Sequence, residues 1–369
     1  MRAEAVVDLS AISFNVEQLK KRAGNHLLAV VKADAYGHGL VPVAQTALKA
    51  GADYLGVALL EEALTLREAG ITAPILAWLV QPGSDFTAAI ENDIEIAAAS
   101  LAALRDISAA SRSVGKKARV HLEVDTGMTR GGFLSEWSEL VAHHVADIDV
   151  VGIFSHFARA DEPGERQNDE QLARFQSAVE RVESLGFTKI IKHLSNSAAT
   201  LTNPSAYFDM VRTGIAMYGL SPDINTLGSS QKLSLRPAMQ LRSALYLVKE
   251  VLQGTPVGYG ATEVTSRDTR LGVVTMGYAD GIPRIARGAG VWSAGKRAPI
   301  IGRVSMDQFV VDLGPDSRAQ SGDWVTVFGN GSHGEYTADD WGSASQTINY
   351  EIVTRIGPRV PRIYSAHVY

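Results

Sequence analysis

LLAVVKADAYGHG, residues 27–39, opens with five apolar residues, stops on Lys32, and runs into a loop carrying Tyr36, His38 and two glycines. A short apolar run bounded by turn residues has the signature of a buried strand. The pattern recurs downstream at YLGVAL (54–59), PILAWLV (74–80), IEIAAA (94–99), ARVHLEVD (118–125), DVVGIFSH (149–156), KIIKHLS (189–195) and FDMVR (208–212). Between these runs lie stretches such as EEALTLREAG (61–70) and DEQLARFQSAVERVESLG (169–186), with apolar residues three and four apart and a glycine as helix stop. Near-continuous apolar strands, each followed by a helix, specify a parallel sheet covered on both faces. Eight βα units in roughly 200 residues fit a (β/α)8 TIM barrel better than an open doubly wound sheet, which stays the alternative.

Beyond the Ser/Gly/Pro-rich stretch 221–237 the texture changes to strands joined by Gly/Asp turns, as in AMQLRSALYLVKEV (238–251), RLGVVTMGYAD (270–280) and DWVTVFGN (323–330). The expected organisation is a barrel over 1–232 followed by a mainly-β domain over 233–369. The first strand, AEAVVDL (3–9), is surplus to the eight and free to pack on the β domain. The 369 residues suit two domains. A net charge of −5 carries no cationic excess to attract nucleic acid or an anionic membrane. There are no cysteines, which excludes disulfides, thiol nucleophiles and Cys-ligated metal. No uncharged apolar run reaches a membrane span, and Glu4 and Asp8 break any signal-peptide core, so a cytoplasmic protein is expected.

Barrel enzymes carry their chemistry where strands end and βα loops begin. Lys32 ends the first strand of the series, Arg130 lies past the fifth, His156 ends the sixth, Ser197 follows the seventh and Arg212 ends the eighth. A lysine behind an apolar run is partly desolvated, which favours the neutral amine that forms Schiff bases. Ser197 and the pair Gly214-Ile215 occupy the station after strands seven and eight where barrels commonly bind phosphate. Other matches are set aside. GVWSAGKR (290–297) lacks the Ser or Thr of a P-loop and reads as a hairpin. His143-His144 lack metal-site spacing, Asp161-Glu162 and Asp339-Asp340 read as loop acids, and no metal site is expected. On these residues alone, a Schiff-base barrel enzyme is as well an aldolase as a racemase.

Nine segments in order resemble the alanine racemase family: AVVKADAYGHG (29–39), VDTGMTRGG (124–132), FSHFA (154–158), NSAAT (196–200), DMVRTGIAMYGLSP (209–222), GYGAT (258–262), GYADGIPR (277–284), GRVSMDQ (302–308) and NYE (349–351). The resemblance spans both expected domains. It implies a barrel plus a β domain, pyridoxal 5'-phosphate as cofactor, a small amino acid as substrate, and a homodimer with composite active sites. Lys32 would hold the cofactor covalently. Tyr36, Ser197, Gly214, Ile215 and Tyr350 resemble the phosphate-binding set, His156 would lie beside the pyridine ring, and Arg212 is similar to the family's partner of the pyridine nitrogen. Racemisation needs a proton carrier on each face of a planar carbon. The resemblance gives these roles to Lys32 and to Tyr259, the latter entering with Met306 and Asp307 from the second subunit. Arg130 matches the substrate-site arginine, and Tyr278, Tyr350, Arg284 and Arg303 look like the substrate entrance. A phenol ordinarily titrates near pH ~10, so a tyrosine base needs cationic neighbours.

Two positions depart from the family pattern. Glu123 stands where many members carry a carbamylated lysine, and we expect its carboxylate to supply the same negative charge against Arg130. Ser305 stands where cysteine is frequent. Rival readings keep the fold and change the chemistry: a serine-preferring or broad amino-acid racemase, or a non-catalytic pyridoxal-phosphate carrier. A related decarboxylase is disfavoured, because those enzymes place an acid where this chain has Arg212.

Overall fold

The first strand, β1 (Ala3–Asp8), is buried throughout and does not join the eight-stranded sheet that comes next in the chain. The computed structural model describes residues 1–134, 136 and 146–366, so the His143-His144 pair lies outside the described residues. The chain divides into two compact units: Ile12–Ala35 with Leu40–Leu235, and Met1–Ala11 with Tyr36–Gly39 and Arg236–Tyr369. No described helix is long and apolar enough to cross a membrane.

The first of these units holds eight parallel strands: β2 (His26–Val30), β3 (Tyr54–Val57), β4 (Ile75–Ala77), β5 (Ile94–Ala98), β6 (Ala118–Glu123), β7 (Ile148–Phe154), β8 (Ile191–His193) and β9 (Met210–Thr213). They pair in the order β8-β7-β6-β5-β4-β3-β2-β9. The β8–β9 seam carries no ladder, but Asp209 N–H donates to the Lys192 carbonyl at 3.0 Å and Arg212 N–H to the Ser195 carbonyl at 2.9 Å. The barrel expected from the eight apolar runs is therefore present and nearly closed. β3, β4, β5 and β9 are buried at every residue, as strands covered on both faces must be.

The covering helices show why their sequences fold as they do. Leu101–Val114 starts at Ser100, whose hydroxyl accepts from Ala103 N–H, and stops at Gly115 with φ +71°. It buries Leu104, Ile107, Ser108 and Ser111, one stripe at helical spacing. Arg166–Ser184 likewise buries Gln171, Phe175, Ala178 and Val182.

β2 stops at Val30, two residues short of Lys32, where the expected strand ended. Ala33, Asp34, Ala35 and Tyr36 all have φ +53°, a left-handed turn built without glycine. Such residues cost about 1–2 kcal/mol each, so the surroundings must hold them. Glu62 accepts from Ala33 N–H at 2.6 Å, and Asp34 accepts from Leu40 N–H at 2.8 Å. Lys32 is thus the first residue of this turn, not the end of a strand.

The second unit contains β10 (Met239–Val251), β11 (Pro256–Val257), β12 (Glu263–Val264), β13 (Thr269–Val274), β14 (Gly290–Ser293), β15 (Lys296–Pro299), β16 (Phe309–Asp312), β17 (Trp324–Phe328) and β18 (Arg362–Ser365). β10 is its spine, antiparallel to β1, β13 and β17, with register shifts near Leu241 and Leu245 that let one strand serve several partners. β1 also pairs in parallel with β18. β14 and β15 form the hairpin expected of GVWSAGKR, turning through Ala294 (φ +47°) and Gly295 (φ +84°). Asp339 and Asp340 are not loop acids. They occupy the first turn of the helix Ala338–Ala344, where the Thr337 hydroxyl and the Asp340 carboxylate make a reciprocal cap that sequence inspection overlooked.

Gly56 marks tight packing between β3 and its neighbours in the barrel. A Cβ there would lie 2.3 Å from Leu28 Cδ2 and 2.5 Å from the Trp78 ring. Gly56→Ala should destabilise the protein by about 1–3 kcal/mol, read as a lower urea midpoint. An unchanged midpoint would mean that Trp78 moves aside freely.

Candidate active site

The barrel unit gathers its candidate residues around a buried cation. Arg212, near the end of β9, is 6% exposed. Its terminal nitrogens donate to the carbonyls of His193 (2.8 Å), Ser155 (2.7 Å) and Leu194 (3.2 Å), and to His193 Nδ1 and His156 Nδ1 (3.2 Å each). Burial pulls its pKa down to about 10 while Glu123 pulls the other way, so the group stays cationic at neutral pH. Among the described residues its Nε–H meets no partner.

Its neighbours respond to that charge. His156, two residues past β7, is pushed down to about 3 by burial first and then by Arg212, Arg130 and Lys32. It is neutral at all ordinary pH values. Lys32 is lowered by burial and by Arg130, against the opposing pull of Glu62. Its ammonium nitrogen lies 5.9 Å from the centre of the Trp78 ring. Trp78 belongs to the site although its position inside an apolar run gave no such signal. Gly56 beside it leaves room for the ring, a relation that only the folded strands reveal.

Arg130 lies in a loop folded back on β6. Asp125 Oδ1 accepts from Gly127 and Thr129 N–H, and Phe133 N–H returns to the Glu123 carbonyl at 2.8 Å. The Glu123 carboxyl is raised by burial, opposed by Arg130 and then by Arg212. No ion pair within 4.0 Å joins Glu123 to Arg130 among the described residues, so the two couple through the field and not by contact.

Ser197 opens the helix Ser197–Thr202 after β8, and the Asn196 side chain caps it by accepting from Ala199 N–H. The Ser197 hydroxyl oxygen accepts from Gly214 N–H (2.9 Å) and Ala216 N–H (3.3 Å), which leaves its own proton to be donated. Ile215 begins a 3-10 turn, and the first amide of such a turn has no partner within it. Thr213 Oγ1, two residues before it, is buried with no hydrogen bond. The donors fit pyridoxal phosphate in kind: an amine held below its normal pKa for a carbonyl carbon, a spare guanidinium N–H for a ring nitrogen, and hydroxyl and amide donors for a phosphate.

The remaining candidates belong to the other unit. Tyr36 and Tyr350 face one another with ring centroids 6.2 Å apart, and burial raises the Tyr36 phenol, which therefore stays a donor. Tyr259 is 69% exposed, in a turn between Gly258 (φ +71°) and Gly260 (φ +76°). Arg303 lies against that turn, 3.3 Å from where a Cβ on Gly260 would be. Tyr278 N–H donates to the Ser305 carbonyl and Ala279 N–H to that of Met306, which gathers Tyr278, Ser305 and Met306. Asp307 accepts from Arg359 at 2.7 Å. Arg284 is exposed. Asp161 and Glu162 remain loop acids, with Glu162 paired to Arg159.

Comparison with known proteins accords with this geometry. Residues 7–222 match the family described as alanine racemase, N-terminal domain, and residues 238–364 match alanine racemase, C-terminal domain. An alanine racemase of Salinispora tropica is 50% identical over 371 residues, 98% of each chain. One from Thermobifida fusca is 48% identical over 99% of each. Among solved structures, alanine racemase from the D-cycloserine producer Streptomyces lavendulae superposes with a TM-score of 0.97 at 48% identity, covering 100% of this chain and 98% of that one. The Streptomyces coelicolor enzyme gives 0.96 at 45%, covering 99% and 98%.

Two outcomes test the electrostatics. Glu123→Gln should lower kcat/KM roughly 5–10-fold, since field coupling at an effective dielectric near 20 is worth about 1 kcal/mol; unchanged kinetics would mean that the carboxyl is already protonated. His156 and His193 are both held neutral by burial, below the 6.5 of an unfolded imidazole. The unfolded chain therefore binds more protons below pH 6.5, and the stability present above that value is lost as pH falls towards 3. Unfolding free energies from urea titrations at pH 7.5 and 5.0 should differ by roughly 2 kcal/mol for His156, with His193 shifting them in the same direction. With both domain matches, near-complete coverage and close superposition in agreement, the chain belongs to the alanine racemase family.

Proposed function

We propose that the protein interconverts L-alanine and D-alanine, working as a cytoplasmic homodimer with pyridoxal phosphate. The observation that carries this reading is the buried Arg212 with a spare Nε–H, in the same field as a lysine amine held below its normal pKa. Lys32 would hold the cofactor's carbonyl carbon, Arg212 its ring nitrogen, and Ser197, Gly214 and Ile215, with Tyr36 and Tyr350, its phosphate. When bound, the group withdraws electrons from the amino acid's Cα and makes the α-proton labile. A guanidinium beside the ring nitrogen disfavours a second positive charge there. That tempers the withdrawal and limits side reactions such as transamination.

Lys32, neutral more readily than an ordinary lysine, takes or returns the proton on one face of Cα. His156 is too weak a base for the opposite face and serves as an acceptor for Arg212. We assign the opposite face to Tyr259, reaching the site of a second copy of the chain. Its exposure supports this role, because a large aromatic left in solvent between two glycines invites a partner surface. Arg130 would orient the substrate carboxylate, Met306 and Asp307 would bound its side chain, and Tyr278, Arg284 and Arg303 would line its entrance.

Tyr259→Phe tests the assignment. Racemisation of L-alanine, followed by circular dichroism, should fall by about 10²–10⁴-fold while the visible absorbance of bound cofactor persists. Full activity in that variant would remove Tyr259 from the chemistry. A wild-type protein that takes up cofactor and leaves L-alanine optically unchanged would be a carrier.

A further inference from the structure

A second set of titratable side chains runs through the barrel interior beneath Arg212. His121 on β6 and His193 on β8 are fully buried, as is Glu95 on β5. His193 Nε2 lies 2.9 Å from His121 Nδ1, and His121 Nε2 lies 2.7 Å from Glu95 Oε2. The other oxygen of Glu95 is 2.5 Å from Arg119 Nη2, whose side chain is 45% exposed. The chain thus climbs from a solvated arginine to the buried one at the barrel mouth. We propose that Glu95 and His121 are positioning residues for Arg212, acting through His193 by fixing its proton on Nε2. The proposal rests on the reading of Arg212 as the partner of the cofactor's ring nitrogen.

The direction of the chain follows from donor chemistry. A guanidinium donates only, so the His193 Nδ1 that faces Arg212 has to accept if the two are to bond. The single proton of neutral His193 is then on Nε2 and is donated to His121 Nδ1. His121 in turn carries its proton on Nε2 and gives it to Glu95, a carboxylate able only to accept. Each link forces the next. The other tautomer of His193 would set an N–H against the N–H groups of Arg212, two donors with nothing between them.

Packing leaves that tautomer as the one freedom to be fixed. His193 stacks on Phe154 at 5.0 Å and 12°, and the Arg212 guanidinium lies 5.5 Å over the same ring. Room for the relay is built into the ladder. Gly152 pairs with His121 across β6–β7, and a Cβ on Gly152 would lie 2.1 Å from His121 Nδ1. An apolar residue at 121 would fill this space and carry no proton, whereas the imidazole brings one acceptor and one donor on opposite edges.

The test compares His121→Gln with His121→Phe. Glutamine offers a carbonyl to His193 and an amide N–H to Glu95, so it can carry the relay without the ring. Phenylalanine keeps the ring and breaks the relay. In ¹⁵N-histidine NMR of the protein without cofactor, wild type and His121→Gln should show His193 as one Nε2–H tautomer, and His121→Phe a mixture. In the loaded enzyme, His121→Gln should keep kcat within about threefold and His121→Phe should lose about tenfold, with KM moving less than twofold. Should His121→Phe fail to fold, Glu95→Gln carries the same readings. Arg119 turns its amide nitrogen towards His121, which reverses the chain and frees the His193 tautomer. A single His193 tautomer and full kcat in the broken-relay variant, or a glutamine variant worse than the phenylalanine one, would overturn the proposal. A wild type with the expected tautomer but no alanine racemisation would overturn the functional reading instead and leave the relay standing.

Discussion

The site is organised by the burial of one positive charge. Arg212 has no carboxylate within ion-pair distance among the described residues; its charge is spread over three backbone carbonyls and two imidazole nitrogens. The carbonyls belong to Ser155, His193 and Leu194, where β7 and β8 end, so the barrel's own strand termini form the cradle. A charge solvated this way is not neutralised, and it acts on everything nearby. It helps hold His156 and His193 neutral and tempers the upward push of burial on Glu123. A carboxylate in the cradle's place would have cancelled the field and raised the basicity of every group that now feels it.

The left-handed turn after Lys32 is the second constraint, and it concerns place, not charge. Four consecutive non-glycine residues at φ +53° cost several kcal/mol together, at about 1–2 kcal/mol each. The packed barrel and the Glu62 and Asp34 hydrogen bonds hold them there. A right-handed helix starting at Lys32 would carry the chain and the lysine stem along another path. Strain of this kind gathers where a side chain must be aimed, and here it follows directly on Lys32, the residue proposed to meet the cofactor.

These two constraints explain what could be read from the sequence. Eight apolar runs between helical patterns sufficed for the barrel, because strands buried on both faces are mostly apolar. Lys32, His156, Ser197 and Arg212 were legible by their stations at or just past strand ends. The left-handed turn was not, since Ala and Tyr carry no propensity for it, a single Asp is too weak a signal, and tertiary contacts enforce it. Trp78 and His121 lie inside strand segments that gave no signal; what distinguishes them is a glycine beside each, Gly56 against the Trp78 ring and Gly152 paired with His121, and the fold must be known before that matters. The pairing of β1 with β10 and β18 joins residues more than 200 positions apart, a distance over which no local pattern speaks. Tyr259, Met306 and Asp307 came from family resemblance alone, as exposed residues on a β unit have no local chemistry to announce them.

The electrostatics also bear on why one subunit's barrel does not suffice for the reaction proposed. Racemisation needs two groups able to exchange a proton with carbon near neutral pH. In the barrel unit, Lys32 meets the requirement because burial and Arg130 bring its amine down. His156 fails it, because the same cations depress the imidazole to about 3. Arg212 is cationic at neutral pH with its terminal N–H groups spent on its cradle, and Glu123 is engaged in the field of the two arginines. The field that makes the lysine usable disables the histidine, so a second carrier has to be brought in. A phenol suits that task, since it is neutral on arrival and the surrounding cations favour its charged form.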